Sequence, residues 1–134
     1  MSPTARSLAM LRKCGHAAGI VERWLPGVNR RKDLFGCIDL VAVRRGEAGV
    51  LAVQATSLAN VSARLGKAKA RSELRTWLAA GNRFSVFGWY RRQGRWRVKI
   101  VDLRTEDLAA VVVQSPPRRG RKAVQKDLFG TGSE

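Results

Sequence analysis

Two polar side chains interrupt apolar segments in the first half of the chain. Asp39 lies within the apolar run CIDLVAV at residues 37–43, and Gln54 lies within LAVQAT at residues 51–56. A carboxylate in a buried strand is costly unless a cation or hydrogen bonds compensate it. We therefore expect each of these side chains to have a polar partner or a bound ion beside it.

A turn between the two runs predicts that they are neighbours. Gly46 and Gly49 bracket this turn, which would make the strands antiparallel and bring Asp39 and Gln54 to one end of a sheet. Two oxygen ligands at a shared edge suit a hard divalent cation such as Mg²⁺, which keeps several waters and borrows phosphate oxygens. A buried hydrogen-bonded pair without an ion is the alternative, and the residue types alone leave both interpretations open.

The spacing of apolar residues predicts the elements that would position this pair. We expect a helix over residues 4–14, strands over 17–24, 36–45 and 50–57, helices over 60–68 and 73–80, and a hairpin of strands over 83–92 and 94–103. The apolar segment 108–113 fits either a strand or a helix. This order predicts one α/β or α+β domain over residues 1–114, with a small mixed sheet flanked by helices.

The composition indicates the kind of partner. Lys+Arg 26 against Asp+Glu 10 gives a formal net charge of +16, which attracts polyanions, and nucleic acid is the commonest of these in a cell. A ribosome-type basic surface, a membrane-surface binder and simple solubility are the alternatives. The basic residues cluster between positions 60 and 104, which favours contacts with DNA phosphates. We expect those contacts from Arg64, Lys67, Arg71, Arg91, Arg92, Arg95, Arg97 and Lys99.

Other classes of protein are disfavoured by the sequence. No apolar run is long enough to span a membrane, and the N-terminus lacks the apolar core of a signal peptide. Cys14 and Cys37 match neither a metal-ligand spacing nor a disulfide framework, so both are expected to be reduced thiols. These features predict a cytoplasmic protein with no membrane contact.

The stretch RKDLFGCIDLVAV followed by GVLAVQATS resembles the PD-(D/E)XK nuclease superfamily. It is most similar to small phage and bacterial relatives of archaeal Holliday-junction resolvases, over about residues 5–105. The resemblance implies a restriction-endonuclease-like core, a Mg²⁺ (or Mn²⁺) cofactor and a DNA endonuclease that acts on branched or structured DNA. It also implies a homodimer, because resolvases of this type usually act as dimers.

The resemblance assigns roles to four positions, one in the first apolar run and three in the second. The metal aspartate of the family falls at Asp39, its second ligand at Gln54, and its main-chain carbonyl ligand at Ala55. The lysine that activates water in the family would fall at position 56, where this chain has Thr56. A neutral Gln54 and the absence of that lysine favour an alternative function, a catalytically inactive nuclease fold that binds DNA or inhibits another DNA-processing machine.

Residues outside this motif could complete the site. Lys67 or Arg64, on the helix that follows, could supply the missing cation. Glu22 and Asp33 are the spare carboxylates that could complete the metal shell. Glu22 is expected within an apolar strand, whereas Asp33 could instead serve to form a turn.

The letters KDLFG occur twice, at residues 32–36 and 126–130. The first copy belongs to the fold, with apolar residues that anchor the chain before the Asp39 strand. The second lies in SPPRRGRKAVQKDLFGTGSE, residues 115–134, which predicts a disordered basic tail. This copy resembles the bacterial sliding-clamp-binding peptide, which implies clamp contacts from Gln125, Asp127, Leu128 and Phe129. A chance match is the alternative.

Overall fold

A computed structural model describes residues 1–28 and 30–108 of the chain. The helices are α1 (Pro3–Lys13), α2 (Val61–Lys69) and α3 (Ser72–Ala79). The strands are β1 (Ala17–Ile20), β2 (Arg23–Leu25), β3 (Arg30–Lys32), β4 (Leu40–Val43), β5 (Leu51–Ser57), β6 (Arg83–Arg92) and β7 (Arg95–Leu103). Short 3₁₀ turns cover Leu58–Asn60 and Thr105–Leu108. The predicted clamp-binding tail and the apolar segment after Leu108 lie outside the described residues.

Five of the strands form one mixed sheet in the order β1-β4-β5-β6-β7. All neighbours are antiparallel except β5 and β6, which are parallel and are joined through α2 and α3. Strands β2 and β3 form a separate two-stranded antiparallel ribbon. The predicted α+β domain with a mixed sheet and flanking helices is therefore confirmed, as is the division of residues 60–80 into two helices.

Each face of the sheet has its own apolar core. Side chains alternate between the faces of a strand, so Ala52 of β5 packs with residues of α2 and α3, whereas Val53 packs with Leu11 of α1. Helix α1 is also fixed by a buried hydrogen bond of 2.9 Å from Trp89 Nε1 on β6 to Ser7 Oγ. Helices therefore pack on both faces of the sheet and position the ends of its strands.

The hairpin of β6 and β7 turns where the sequence predicted. Gln93 and Gly94 have φ of 52° and 76°, the left-handed backbone that a two-residue hairpin turn requires. Arg92 pairs with Arg95 across this turn. The hairpin therefore carries exposed basic residues beyond the last pair of β5 and β6, Ser57 with Trp89.

Two predicted strands differ from those observed. The expected strand 17–24 is divided, because the chain leaves the main sheet after Ile20 and enters the ribbon at Arg23. The expected strand 36–45 is shortened to Leu40–Val43, because Leu34 and Ile38 form an isolated bridge that closes a tight turn. Apolar composition alone does not reveal such turns, since the buried side chains of a turn and of a strand are the same types.

No helix in the described part of the chain is long and apolar enough to cross a membrane.

Candidate metal centre

The pairing of β4 and β5 brings Asp39 to Gln54. Leu40 pairs with Val53, and Asp39, which immediately precedes β4, donates its main-chain N–H to the Val53 carbonyl at 2.9 Å. The Asp39 and Gln54 side chains lie on the face that α2 and α3 cover, because Val41 and Ala52, two positions away along their strands, pack there. The prediction that the two strands are antiparallel and that these side chains meet is confirmed.

Hydrogen bonds hold the Asp39 and Gln54 side chains together and bring a third side chain, that of Asp33, to them. Gln54 Nε2 donates to Asp39 Oδ2 and to Asp33 Oδ2, each at 3.2 Å. The main-chain N–H of Ala55 also donates to Asp39 Oδ2, at 2.9 Å. Asp39 is 3% exposed and Gln54 is 1% exposed, so bulk water cannot solvate their polar atoms.

Three carboxylates meet at this end of the sheet, which we call the acidic end. Glu22, Asp33 and Asp39 each offer one oxygen atom, and these three atoms lie within 4.8 Å of one another. The main-chain N–H of Glu22 donates to the Asp39 carbonyl at 3.3 Å, which places Glu22 beside the start of β4. The two spare carboxylates that the sequence suggested are thus brought to Asp39. The expectation that Glu22 lies within a strand is wrong, since it lies in the link between β1 and β2.

Positive charge at the acidic end is insufficient for three carboxylates. Glu22 Oε2 accepts a hydrogen bond of 2.7 Å from Arg31 Nη1. Within residues 1–28 and 30–108, no other salt bridge reaches the cluster, and none reaches Asp33 or Asp39. Two neighbouring carboxylates that cannot both be solvated should not both be ionised without a cation.

The pKa of Asp39 reflects this shortage of positive charge. Burial first, and then the carboxylates of Asp33 and Glu22, raise the pKa of Asp39 from 3.8 to about 8, while the Ala55 N–H opposes the change. A bound cation would reverse this balance, because an opposite charge within a few ångströms favours the ionised carboxylate. The protonation of Asp39 and the binding of a cation should therefore compete.

Gln54 contributes a further oxygen. Its Oε1 is buried and has no hydrogen-bond partner in the described part of the chain. Buried polar atoms are nearly always satisfied, so an orphaned oxygen needs an explanation. If the amide were turned over, Oε1 would face the carboxylates as a fourth oxygen for a cation.

The main chain of Ala55 has the orientation expected of a carbonyl ligand. Its N–H points to Asp39, and the N–H and C=O groups of one strand residue point to the same edge of the strand. The Ala55 carbonyl is therefore directed to the edge at which Asp39 lies. Its role as a metal ligand stays a prediction.

The three positions considered for the missing lysine differ in their surroundings. Thr56 is 4% exposed and pairs with Gly88 of β6 within the sheet, so it brings no charge to the centre. Lys67 is exposed on α2 and lines a cleft of about 590 Å³ together with Asp33. Arg64 is half-buried and does not line this cleft. Of the two cations proposed on α2, Lys67 is the one placed beside the cluster.

The predicted DNA-binding residues occupy three places. Arg71 lines the cleft with Lys67. Arg64 lies on α2, half-buried and outside the cleft. The other five lie on the β6–β7 hairpin, and all of these are exposed: Arg91, Arg92, Arg95, Arg97 and Lys99. Because β5 and β6 are parallel, the hairpin turn extends from the same end of the sheet as Gln54. Sequence analysis missed Arg23, Arg31 and Lys32 on the ribbon, although the run RRK at residues 30–32, whose Lys32 begins the first KDLFG, was a visible signal.

No family model, curated protein or solved structure matches this chain.

Proposed function

We propose that the protein is a metal-dependent DNA endonuclease that acts on branched or structured DNA. The observation that carries this proposal is the acidic end, where Glu22, Asp33 and Asp39 share a space of less than 5 Å with one Arg at its rim. Burying such a set stabilises nothing by itself. A function that needs a divalent cation accounts for it.

Hard oxygen donors decide the class of cation. Carboxylate, amide and carbonyl oxygens are the ligands that Mg²⁺ and Mn²⁺ prefer, and this end of the sheet offers all three kinds. Asp39 and Asp33 would bind through carboxylate oxygens, Gln54 through Oε1 and Ala55 through its carbonyl. A cation bound there would polarise a phosphate oxygen and make a coordinated water a better nucleophile.

The surrounding side chains support DNA as the substrate. Lys67 and Arg71 line the cleft that Asp33 also lines, so a phosphate near the acidic end would meet both charges. Lys67 would stabilise the negative charge that develops on the phosphate, the task of the lysine absent from position 56. The exposed hairpin arginines would hold the flanking backbone without reading its sequence. The PD-(D/E)XK resemblance supports a restriction-endonuclease-like core and implies a homodimer.

One feature favours a second function. A buried Thr56 and a neutral Gln54 stand where the resemblance places a lysine and a carboxylate, so the chain could bind DNA without cutting it. Such a protein would be a DNA-binding or inhibitor module that keeps the nuclease fold. Both functions require DNA binding, and only the first requires turnover.

Incubation with DNA of different structures separates the two functions. The purified protein is mixed with four-way junctions, flaps and linear duplex in the presence of Mg²⁺ or Mn²⁺, and the products are resolved on gels. We expect cleavage of the branched substrates that stops when the metal is chelated. Tight binding of these substrates without any cleavage would instead establish the inactive module.

Recruitment to the replication clamp is a separate part of the proposal. Gln125, Asp127, Leu128 and Phe129 form the peptide whose Leu-Phe pair would fill an apolar cleft on the bacterial sliding clamp. A peptide of residues 115–134 should bind the clamp with micromolar strength, and the Leu128→Ala/Phe129→Ala peptide should not bind. Equal binding of the two peptides would make the second KDLFG a coincidence.

A further inference from the structure

The β2–β3 ribbon is a basic projection beside the acidic end. Its pairs are Arg23 with Lys32, Trp24 with Arg31, and Leu25 with Arg30. The four basic side chains are all exposed, and no carboxylate lies in either strand. A two-stranded ribbon of six residues is not stable by itself. Contacts with the rest of the fold must therefore hold it in place.

Contacts at its base tie the ribbon to the acidic end. Val21 and Glu22, the two residues that precede β2, donate their main-chain N–H groups to the Asp39 carbonyl at 2.8 and 3.3 Å. The Arg31 side chain of β3 donates to the Glu22 carboxylate at 2.7 Å. The position of the ribbon is therefore coupled to the residues of the candidate metal centre.

The inner face of the ribbon completes the basic cleft. Arg23 and Lys32, which pair across the ribbon, line the cleft of about 590 Å³ with Asp33, Lys67 and Arg71. The cleft thus holds four cations, from β2, β3, α2 and the link between α2 and α3, together with Glu73, whose carboxylate lies 3.6 Å from Arg71. A phosphate chain that enters this cleft has positive charge on both sides.

The other face of the ribbon carries an accessible aromatic ring. Trp24 is 53% exposed and lines a shallow groove of about 350 Å³ with Glu22 and Arg31. The exposed Trp96 of the hairpin differs, because the Arg6 guanidinium lies over its ring at 3.7 Å from the centroid. Within the described residues, no such cation lies over the Trp24 ring.

We propose that this ribbon is a DNA-gripping arm that selects substrates with unpaired bases next to the phosphate at the acidic end. Arg23 and Lys32 hold the backbone through its phosphates, and Trp24 stacks on a base that has no partner in a duplex. Aromatic stacking of this kind tolerates any base and is unavailable to a base that stays within the duplex stack. The inference rests on the proposed function, and it names the class of DNA structure that the enzyme prefers.

The arm is tested by binding, without turnover. Fluorescence anisotropy compares a forked duplex, which has unpaired bases at its branch, with a linear duplex of the same length and labelled strand. Calcium replaces magnesium in the buffer so that the forked DNA is bound and is not cut. We expect the wild-type protein to bind the fork more tightly than the duplex.

Three variants separate stacking from charge. Trp24→Ala should weaken fork binding about tenfold and leave duplex binding nearly unchanged, whereas Trp24→Phe should retain most of the preference. Arg23→Gln/Lys32→Gln should weaken binding to both DNAs. The matched control is Trp96→Ala, which removes an exposed ring whose face Arg6 already covers and should change the fork preference little.

The outcomes distinguish the arm from the proposed function. An unchanged fork preference in Trp24→Ala, or an equal loss in Trp96→Ala, overturns the arm while DNA binding itself persists. A wild-type protein that binds neither DNA overturns the proposed function, and the arm with it. Circular dichroism of each variant verifies that a loss of binding does not come from unfolding.

Discussion

The pKa values of carboxylates are shifted in opposite directions at the two ends of the sheet. At the end where β4 finishes, which we call the Glu47 end, Glu47 accepts a hydrogen bond from Arg44 and lies 3.2 Å from Arg83 Nη2. The Arg44 hydrogen bond, together with the charges of Arg44, Arg83 and His16, holds the pKa of Glu47 below its ordinary value. At the acidic end, burial and neighbouring carboxylates raise the pKa of Asp39 to about 8.

The difference shows which end needs something from outside the chain. Arginine side chains of the chain itself lie beside the Glu47 carboxylate and balance its negative charge. The acidic end has three carboxylates, one salt bridge at the rim and an orphaned amide oxygen. A cavity of about 570 Å³ at the Glu47 end is lined by apolar side chains and by Glu47, Asp102 and Glu106. Within the described residues, these carboxylates do not form a group close enough to hold a metal ion. Charge balance therefore indicates a structural role for one end and a cation site for the other.

The largest expected effect is on catalysis at the acidic end. Asp39→Asn keeps an oxygen that can accept the hydrogen bonds from Ala55 and Gln54 but removes the charge that a cation needs. Loss of an outer partner of a metal ligand costs 10–100-fold, so loss of the ligand itself should reduce cleavage by more than about a hundredfold. DNA affinity should stay equal or rise, because one negative charge beside the phosphate is gone.

A matched variant at the other end controls for the charge. Glu47→Gln also replaces a carboxylate by its amide, and we expect it to cleave DNA at the wild-type rate. Gel-based cleavage rates of the two variants make the comparison. Full activity in Asp39→Asn would mean that the acidic end does not bind the catalytic metal.

Basic residues at the two ends should differ in their effect on DNA binding. Arg95→Gln/Arg97→Gln on the hairpin should lower the slope of log K against log[salt] by about 1.8, because each lost phosphate contact removes about 0.9. Arg45→Gln/Arg104→Gln removes the same charge at the Glu47 end and should hardly change the slope. Equal slopes in the two double variants would show that the net charge of the protein, and not the hairpin, attracts DNA.

A smaller effect is expected when Gln54 is made acidic. Gln54→Glu adds a fourth carboxylate, so the cation should bind more tightly and the metal-free protein should be less stable at neutral pH. Calorimetric titration with Mn²⁺ measures the change in affinity. A Kd equal to that of the wild type would exclude Gln54 from the ligands.

The sequence predicted the part of the site that follows from strand periodicity. Asp39 and Gln54 stand out because they interrupt apolar strands, and the turn at Gly46 and Gly49 places those strands side by side. Glu22 was found for a wrong reason, since the apolar run 17–24 does not show where the chain leaves the sheet. Its contact with Asp39 depends on main-chain hydrogen bonds of a link, which do not depend on the type of side chain there.

The ribbon was not predicted as a separate element, because Arg23 and Trp24 fall within the expected strand 17–24 and β3 gives no strand signal. RWL and RRK are too short and too charged for an alternating pattern. These strands exist because the link after β1 and the turn before Ile38 place them side by side. Their pairing is therefore a consequence of the tertiary fold, which local sequence does not encode.

The two ends of the sheet should change the stability of the protein in opposite directions as the pH rises. Without metal, the folded protein keeps the Asp39 proton up to a pH of about 8, whereas the unfolded chain loses it near 3.8. Asp39 therefore contributes stability that is fully present below this lower value and is lost as the pH rises to about 8. Glu47 has the opposite sign, because its lowered pKa contributes stability that is lost as the pH falls. The free energy of unfolding, measured in urea, should fall as the pH rises across this range. This fall should disappear in Asp39→Asn and persist in Glu47→Gln.

The most direct test of the cation site is the melting temperature at pH 8 with and without Mn²⁺. A cation present at about a hundred times its Kd stabilises the folded protein by about 2.7 kcal/mol, which corresponds to about 10 °C for a domain of this size. We expect this rise in the wild type and in Glu47→Gln, and no rise in Asp39→Asn. An unchanged wild-type melting temperature, or an equal rise in Asp39→Asn, would contradict a cation site at the acidic end.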